Sequence, residues 1–218
     1  LSINNVFSAV LPAGFYYKTF MAPRRLWPWY EKMIRKAAGM GTAPDQADPD
    51  HYLCSYAHCD VLVVGAGPSG LMSALAAART GASVMLVDEN PAAGGWLQRE
   101  RLSMDGMPGA NWAESIWQEL TDLPNVTVRA RATAFGYYDH NMVAILERVP
   151  RGNDKDLPSQ RLWRVRAKRV VLATGAIERP LIFANNDRPG VMLAGAARAY
   201  ANQYAVRAGS RAVVATNN

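Results

Sequence analysis

The chain has 218 residues, half of them hydrophobic, and carries a formal net charge of +6 at pH 7. This length suits one domain or a domain with an extension, and the apolar fraction is enough for a substantial core. The basic residues are scattered rather than gathered into a stripe, which argues against nucleic-acid binding. The sequence does not open with a charged region, an apolar stretch and a small-residue cleavage site, so we expect a cytoplasmic protein.

Residues 1–50 form the first predicted region, an aromatic-rich linker or extension with a helix over residues 29–38. Seven aromatic residues crowd into residues 15–30. A segment of this composition with little periodicity cannot bury its own apolar surface. It packs either on another domain or subunit or over the rest of this chain, and the sequence leaves both possibilities open.

Residues 51–218 form the second predicted region, which begins with Cys54 and Cys59 and with His51 and His58 close by. A metal site is conceivable there, but the second ligand pair of a usual set is missing. The sequence therefore favours two free thiols in a reducing compartment and no metal.

An apolar run at residues 61–64 leads into the sequence GAGPSG at residues 65–70, which opens a small-residue run to residue 78. This layout predicts a strand, a tight turn and a helix, and the next apolar run ends at Asp88. Residues 61–78 are about long enough to suggest a membrane span. Three glycines and a proline interrupt them, so we expect the strand and helix instead, with no membrane contact.

Each glycine of the motif has a physical reason. Gly65 permits the turn, Gly67 lets a pyrophosphate approach the backbone, and Gly70 lets the helix pack closely on the strand. The unpaired N–H groups and the positive dipole end of the helix suit a diphosphate. Asp88, with Glu89 beside it, can accept hydrogen bonds from a ribose diol and disfavours the 2′-phosphate of NADP. The motif alone leaves NAD and FAD open.

The later elements predict an α/β protein with a Rossmann-like FAD/NAD(P)-binding fold, a parallel sheet and an inserted antiparallel β-meander. A glycine pair, Gly94 and Gly95, allows another stretch of backbone to approach the nucleotide. The predicted elements are a helix over 112–120, a strand over 126–128, meander strands over 134–138, 142–147 and 161–167, a buried strand over 169–176, a helix over 194–206 and a last strand after residue 209.

Four features occur in order: GAGPSG, the acidic strand end, the glycine pair, and the sequence ATG at residues 173–175 after the antiparallel insert. Over residues 60–218 this arrangement resembles the two-dinucleotide-binding-domain flavoproteins. A closer resemblance, over most of the chain, is to the alpha subunits of heterotetrameric sarcosine oxidases. It rests on LPAGFYYKTF at 11–20, HCDVLVVG at 58–65, YYDHN at 137–141 and DRPGVM at 187–192.

This resemblance implies an alpha subunit that carries NAD, with a beta subunit and smaller subunits as partners. It implies FAD within the beta subunit and FMN at the interface between the alpha and beta subunits. The complex would oxidatively demethylate sarcosine to glycine, with hydrogen peroxide and a one-carbon unit released as formaldehyde or methylene-tetrahydrofolate. The tetrahydrofolate domain would follow residue 218. We therefore expect a piece of a longer protein, truncated at its C-terminal end and not catalytic alone.

The motif residues carry over one by one as cofactor-binding residues of this chain. They are Gly65, Ala66, Gly67, Pro68, Ser69, Gly70, Asp88, Glu89, Gly94, Gly95, Ala173, Thr174 and Gly175. No catalytic residue is predicted, because none of the three histidines, His51, His58 and His140, lies beside an obvious nucleophile or paired acid in the sequence.

One departure from the flavoprotein pattern bears on function. Residues 213–218 read VVATNN where a second GxGxxG would follow in the two-domain reductases. This favours a single dinucleotide site, and the resemblance to the sarcosine oxidase alpha subunits implies NAD as its ligand. Two alternatives remain: an FAD-binding subunit of another amine, amino-acid or opine oxidoreductase, and a non-catalytic assembly module.

Overall fold

A computed structural model describes residues 23–41, 44–150, 152, 154 and 156–216 of the chain. Its contacts divide the chain into two units, Leu1–Pro49 and Asp50–Asn218. In the first unit, a 3₁₀ turn at Arg24–Leu26 leads into helix α1, Trp27–Ala37, which begins two residues before the predicted helix. Residues 11–20, which contribute to the resemblance, lie outside the described residues.

The second unit opens with strand β1, helix α2 and strand β2, at Tyr52–Val64, Pro68–Arg79 and Val84–Val87. The two strands are parallel, with Val61 opposite Val84 and Val64 opposite Val87. All four residues of β2 are buried, as expected for a parallel strand covered on both faces. The predicted strand, turn and helix therefore form at the predicted place.

The remaining elements extend this sheet on both sides. They are β3 (Ser103–Met104), β4 (Met107–Pro108), α3 (Gly109–Asp122), β5 (Val126–Arg129), β6 (Ala132–Tyr138), β7 (Met142–Arg148), β8 (Gln160–Leu172) and α4 (Ala194–Asn202). The six-stranded sheet has the order β5-β2-β1-β8-β7-β6, and β3 pairs with β4 separately. Strands β5, β2, β1 and β8 are parallel, whereas β7 and β6 are antiparallel to their neighbours. This confirms the predicted α/β class with a parallel sheet and an antiparallel meander.

Two clusters of buried side chains lie on the sheet. The first contains Leu71 and Leu75 of α2 and Trp112 and Leu120 of α3, packed with Leu86 of β2. The second joins the parallel strands to the meander and includes Leu62, Met85, Val143, Ile145 and Val165. The ends of β1 and β2 are buried, and the GAGPSG turn and Asp88 directly follow them.

The third meander strand and the buried strand after it are one continuous strand, β8, so the prediction of two separate strands was wrong. β8 pairs with β1 from Tyr52 opposite Gln160 to Val64 opposite Leu172. The charged residues Asp60 of β1 and Lys168 of β8 pair with each other, with Asp60 Oδ1 2.7 Å from Lys168 Nζ. Because these two side chains pair, the hydrogen-bonded ladder between β1 and β8 continues on both sides of them.

The predicted strand after residue 209 does not form within the described residues up to Thr216. Val213 and Val214 are 98% and 80% exposed there. An extended segment needs a neighbouring strand to accept and donate its backbone hydrogen bonds, and no described strand pairs with this one. Helix α4 also ends earlier than predicted, at Asn202. Among the described residues, every helix is too short or too polar to cross a membrane.

Candidate functional site

The candidate site lies where the three central parallel strands end together. The backbone N–H of Gly65, just past β1, donates to Val87 O at 2.8 Å, and the N–H of Ala173, just past β8, donates to Val64 O at 2.8 Å. These two hydrogen bonds keep the ladder intact to its last residue. Three loops therefore begin side by side, which is the usual position of a ligand crevice in an open α/β sheet.

A cleft of about 740 Å³ lies between these loops. Its lining comes from the ends of β1, β2 and β8, from the start of α2 and from the start of β6. The lining residues are Val64, Gly65, Gly67, Pro68, Ser69, Ser73, Val87, Asp88, Glu89, Asn90, Gly95, Trp96, Ala132, Thr133, Ala134, Val171, Leu172, Ala173, Thr174, Gly175 and Ala176.

The three glycines of the GAGPSG turn differ in what surrounds them. A Cβ on Gly65 would lie 2.3 Å from Ala173 O, and a Cβ on Gly70 would lie 1.8 Å from Gly65 O. Gly65 also has a φ of +102°, which L side chains rarely adopt. A Cβ on Gly67, in contrast, meets nothing within 4 Å, and its φ is −68°. The fold itself requires Gly65 and Gly70, while the absence of a side chain at Gly67 leaves open space beside the cleft.

The carboxylate of Asp88 is buried and holds the glycine turn. Its Oδ2 accepts from the N–H of Ala66 at 2.6 Å, and its Oδ1 accepts from the backbone N–H of Asn90 at 2.8 Å and from the Asn90 amide at 3.0 Å. Glu89 is exposed and lines the same cleft. Within the described part of the chain, its carboxylate has no hydrogen-bond or ion-pair partner. The two adjacent acids thus have different surroundings.

The glycine pair brings a second backbone against the first turn. The N–H of Gly94 donates to Ala66 O at 2.7 Å, and a Cβ on Gly95 would lie 3.4 Å from Gly67 Cα. Both glycines have positive φ, +111° and +51°. The positive φ values favour glycine at both positions, and a Cβ on Gly94 would also lie 2.9 Å from Ala113 Cβ.

The structure brings the residues predicted from the sequence together at one place. Those lining the cleft are Gly65, Gly67, Pro68, Ser69, Asp88, Glu89, Gly95, Ala173, Thr174 and Gly175. Ala66, Gly70 and Gly94 lie behind it and support the turn through the contacts given above. Sequence reasoning missed Asn90 and Trp96, although Trp96 directly follows the glycine pair. His51, His58 and His140 do not line the cleft.

The electrostatics of the cleft combine a helix N-terminus with two acids. Helix α2 begins at Pro68, immediately after Gly67, and its first turn leaves N–H groups without intrahelical partners. Asp88 and Glu89 are the charged residues of the lining described above. This arrangement suits a pyrophosphate at the helix terminus and a hydroxylated group near the acids. The two acids disfavour any further phosphate group beside them.

The groups whose pKa is shifted lie outside the cleft. Hydrogen bonds from Lys168 and Ser83 lower the pKa of Asp60 from 3.8 to about 2, and the same Asp60 contact raises the pKa of Lys168. Burial raises the pKa of the Cys59 thiol from 9.0 to about 11. Over the ranges that the structure describes, no three His, Cys, Asp or Glu side chains come close enough to hold a metal ion.

Comparison with known sequences finds oxidoreductases. The sequence model of the family described as FAD dependent oxidoreductase matches residues 60–149. The whole chain is 52% identical over 221 residues to sarcosine oxidase subunit alpha of Rhizobium meliloti (strain 1021). It is 47% identical, over 83% of its length, to the subunit of the same name from Corynebacterium sp. (strain U-96). The resemblance predicted from the sequence is confirmed: the chain is homologous to sarcosine oxidase alpha subunits.

The chain matches only part of each relative, and its fold is similar to that of a solved oxidoreductase. The chain spans 22% of the Rhizobium relative and 19% of the Corynebacterium relative, so it corresponds to about a fifth of their length. Among solved structures, L-proline dehydrogenase from P.horikoshii superposes with a TM-score of 0.58 at 28% identity, over 72% of this chain and 30% of that one. The fold and the flavoprotein-type dinucleotide-binding topology are thus shared with oxidoreductases.

Proposed function

We propose that this chain is the dinucleotide-binding portion of the alpha subunit of a sarcosine oxidase-type complex, and that its cleft binds NAD. The observation that carries the proposal is the geometry of the GAGPSG turn. Gly65 and Gly70 pack against backbone, whereas the open side of Gly67 faces the cleft at the start of α2. That combination suits a pyrophosphate held by backbone N–H groups and the helix dipole.

The two acids have different roles in the proposed site. Asp88 uses both carboxylate oxygens to hold Ala66 and Asn90, so it sets the shape of the turn. Glu89 is exposed at the cleft and is the freer acceptor for the ribose diol. Both negative charges disfavour a 2′-phosphate, which supports NAD over NADP.

NAD is favoured over FAD by the resemblance to sarcosine oxidase alpha subunits, in which the alpha subunit carries NAD. Residues 213–218 read VVATNN rather than the start of a second glycine motif, which supports a single dinucleotide site. FAD is the alternative ligand, supported by the match to the FAD dependent oxidoreductase family over residues 60–149. Both cofactors share the ADP half that this cleft would hold.

At the level of the complex, the proposed reaction is oxidative demethylation of sarcosine. The partners would be a beta subunit and smaller subunits, with FAD and FMN bound by the beta subunit and at its interface with this one. Tetrahydrofolate would bind to another part of the alpha subunit. These steps are supported by the 52% identity to a protein named as the alpha subunit of sarcosine oxidase, and no residue of this chain is proposed to act on the substrate.

The first experiment identifies the ligand directly. The full-length subunit that contains this chain is purified without its partners, its visible spectrum is recorded, and the released ligand is identified by mass. A colourless protein that releases NAD supports the proposal. A flavin spectrum with FAD released would replace it with the FAD-binding alternative, and a protein without any dinucleotide would favour the assembly module.

A matched pair of variants tests the site itself. Gly67→Val should abolish dinucleotide binding, because its side chain would occupy the space beside the cleft, and the fold should remain intact because nothing lies within 4 Å of that Cβ. Gly209→Val is a control outside the cleft, because its φ is not in the left-handed region and the atom nearest to a Cβ there is Arg211 O at 3.4 Å. Retained dinucleotide binding in folded Gly67→Val protein would refute the pyrophosphate assignment.

A further inference from the structure

We propose that Trp96 forms a second wall of the dinucleotide site, against the half of the ligand that lies beyond the pyrophosphate, and that helix α4 and Glu178 hold it there. This inference rests on the proposed function, because it assumes that the cleft binds a dinucleotide. It adds a contact that neither the glycine motif nor the ribose acids supply.

Trp96 lies at the cleft and is fixed from two sides. It follows Gly95, whose backbone is packed against Gly67, and it belongs to a 3₁₀ turn over Gly95–Gln98. The residue is 37% exposed and lines the cleft. The Arg198 guanidinium of α4 lies over the ring, 5.1 Å from its centroid. The indole therefore presents a supported aromatic surface to the ligand.

Helix α4 is attached to the Trp96 loop by polar contacts as well. Arg198 Nη1 lies 2.6 Å from Glu100 Oε1, and the Asn202 amide donates to Arg99 O at 2.8 Å. The two helix residues are four positions apart, about one turn, and their contacts reach the residues that follow Trp96. The orientation of Trp96 thus depends on α4, which lies about 100 residues later in the sequence.

Glu178 sets the position of the N-terminal end of α4. Its Oε2 accepts from the backbone N–H of Gly195 at 2.8 Å, and a carboxylate there is favoured by the helix dipole. A Cβ on Gly195 would lie 2.8 Å from Glu178 Oε2 and 3.3 Å from the Trp96 ring. Gly195 is therefore small because the Glu178 carboxylate and the indole both approach the helix at this point.

The order of the strands indicates which half of the ligand Trp96 would meet. The ribose acids follow β2, on one side of β1, whereas Glu178 and α4 follow β8, on the other side. A dinucleotide whose pyrophosphate crosses the end of β1, with its adenosine ribose at Glu89, extends its other half toward β8. Trp96 contacts α4 on that side, so its ring would pack against the nicotinamide riboside of NAD, or the equivalent part of FAD.

The test compares a ligand that has the second half with one that lacks it. In the full-length subunit stripped of bound nucleotide, the affinities for NAD and ADP are measured for wild type, Trp96→Ala and Trp96→Phe, with FAD as a parallel probe. Loss of one aromatic contact should weaken NAD binding about three- to tenfold in Trp96→Ala. ADP binding should change less than about twofold, because ADP ends at the pyrophosphate.

Fluorescence and rescue variants separate ligand contact from support of the loop. NAD should quench the emission of wild-type protein, and the quenching should be reduced in Trp96→Phe but retained in Trp29→Phe, which removes an exposed tryptophan of the first unit. Glu178→Ala should weaken NAD binding and reduce quenching. Glu178→Gln should restore both, because its amide oxygen can still accept from Gly195.

The outcomes distinguish this inference from the proposed function. Loss of both NAD and ADP binding in Gly67→Val, with unchanged NAD affinity in Trp96→Ala, would overturn the Trp96 assignment and leave the dinucleotide site standing. Equal weakening of NAD and ADP in Trp96→Ala and Trp96→Phe would also overturn it, since the ring would then act only through the glycine turn. Retained binding of both ligands in Gly67→Val would refute the dinucleotide site itself.

Discussion

Two aspartates join neighbouring strands of the sheet in different surroundings. At the cleft, Asp88 is 9% exposed and accepts hydrogen bonds from two backbone N–H groups. Away from the cleft, Asp60 accepts from the N–H and hydroxyl of Ser83 and pairs with Lys168, whose side chain is 81% exposed. The first region holds a turn that a ligand would touch, and the second region aligns three strands in contact with water.

The backbone around Asp88 is held more firmly than the backbone around Asp60. A buried carboxylate with rigid backbone donors loses much if either partner is removed, because the remaining group stays desolvated. An exposed ion pair is screened by solvent and loses little. The backbone is therefore held strongly around the cleft, where Asp88 fixes the turn, and weakly around Asp60, where the ion pair only aligns strands.

The largest effect is expected at Gly70, behind the cleft. Gly70→Ala should destabilise the protein by about 3 kcal/mol, because the new Cβ would lie 1.8 Å from Gly65 O and would push α2 away from β1. Thermal or denaturant unfolding of the purified subunit measures this. Gly67→Ala is the matched control, since nothing lies within 4 Å of its Cβ. Equal stability of the two variants would contradict the packing that we describe.

The next effect is expected at Asp88. Asp88→Ala should cost about 1–3 kcal/mol, because the buried N–H groups of Ala66 and Asn90 lose their acceptor. Glu89→Gln should leave the unfolding free energy unchanged and weaken dinucleotide binding instead. Denaturant unfolding and nucleotide titration of both variants separate these roles. If Glu89→Gln destabilised the fold as much as Asp88→Ala, the division of roles between the two acids would be wrong.

A smaller, pH-dependent effect is expected at Asp60. Its folded-state pKa of about 2 lies below the ordinary value of 3.8, so its stabilising contribution is present above pH 3.8 and is lost as the pH falls toward 2. The difference in Tm between wild type and Asp60→Asn should be small at pH 6 and should shrink further on acidification. A difference that grew as the pH fell would contradict the lowered pKa.

Lys168, the partner of Asp60, makes a contribution to stability with the opposite pH dependence. Its pKa is raised by Asp60, so its contribution is present below the ordinary value of 10.5 and is lost as the pH rises through the folded-state pKa. At pH 7, Lys168→Met should therefore lower the Tm by less than Asp60→Asn, because the Ser83 hydrogen bonds to Asp60 remain.

The smallest effect on stability is expected at the cysteines, which lie on β1 beside the Asp60 region. Cys54 is exposed, whereas Cys59 is buried and its pKa is raised to about 11. A thiol-specific reagent at pH 8, with the labelled peptides identified by mass, should modify Cys54 rapidly and Cys59 only after unfolding. Cys54→Ser should abolish the rapid reaction without changing Tm. Rapid labelling of Cys59 in the folded variant would contradict its burial.

Much of the site was predictable because its signals are local. The GAGPSG turn, the acidic end of β2, the glycine pair and the ATG sequence each depend on a few adjacent residues. The continuous β8 strand was not predictable, since Tyr56 and Arg164 are 108 residues apart and their hydrogen bond of 2.7 Å exists only once the strands have paired. The strand predicted after residue 209 does not form in the part of the chain that the structure describes, because apolar residues form a ladder only when a neighbouring strand is present.

The sequence by itself determined the strand, turn and helix around Gly65, the acidic character of the cleft and the homology to sarcosine oxidase alpha subunits. Only the tertiary structure decided that Asp88 holds the turn while Glu89 faces the cleft, and that Trp96 is supported by α4. The physical reason is the range of the interactions. Backbone preferences and helix termini act over a few residues, whereas the hydrogen bonds of a carboxylate and the packing of an indole depend on segments that only folding brings together.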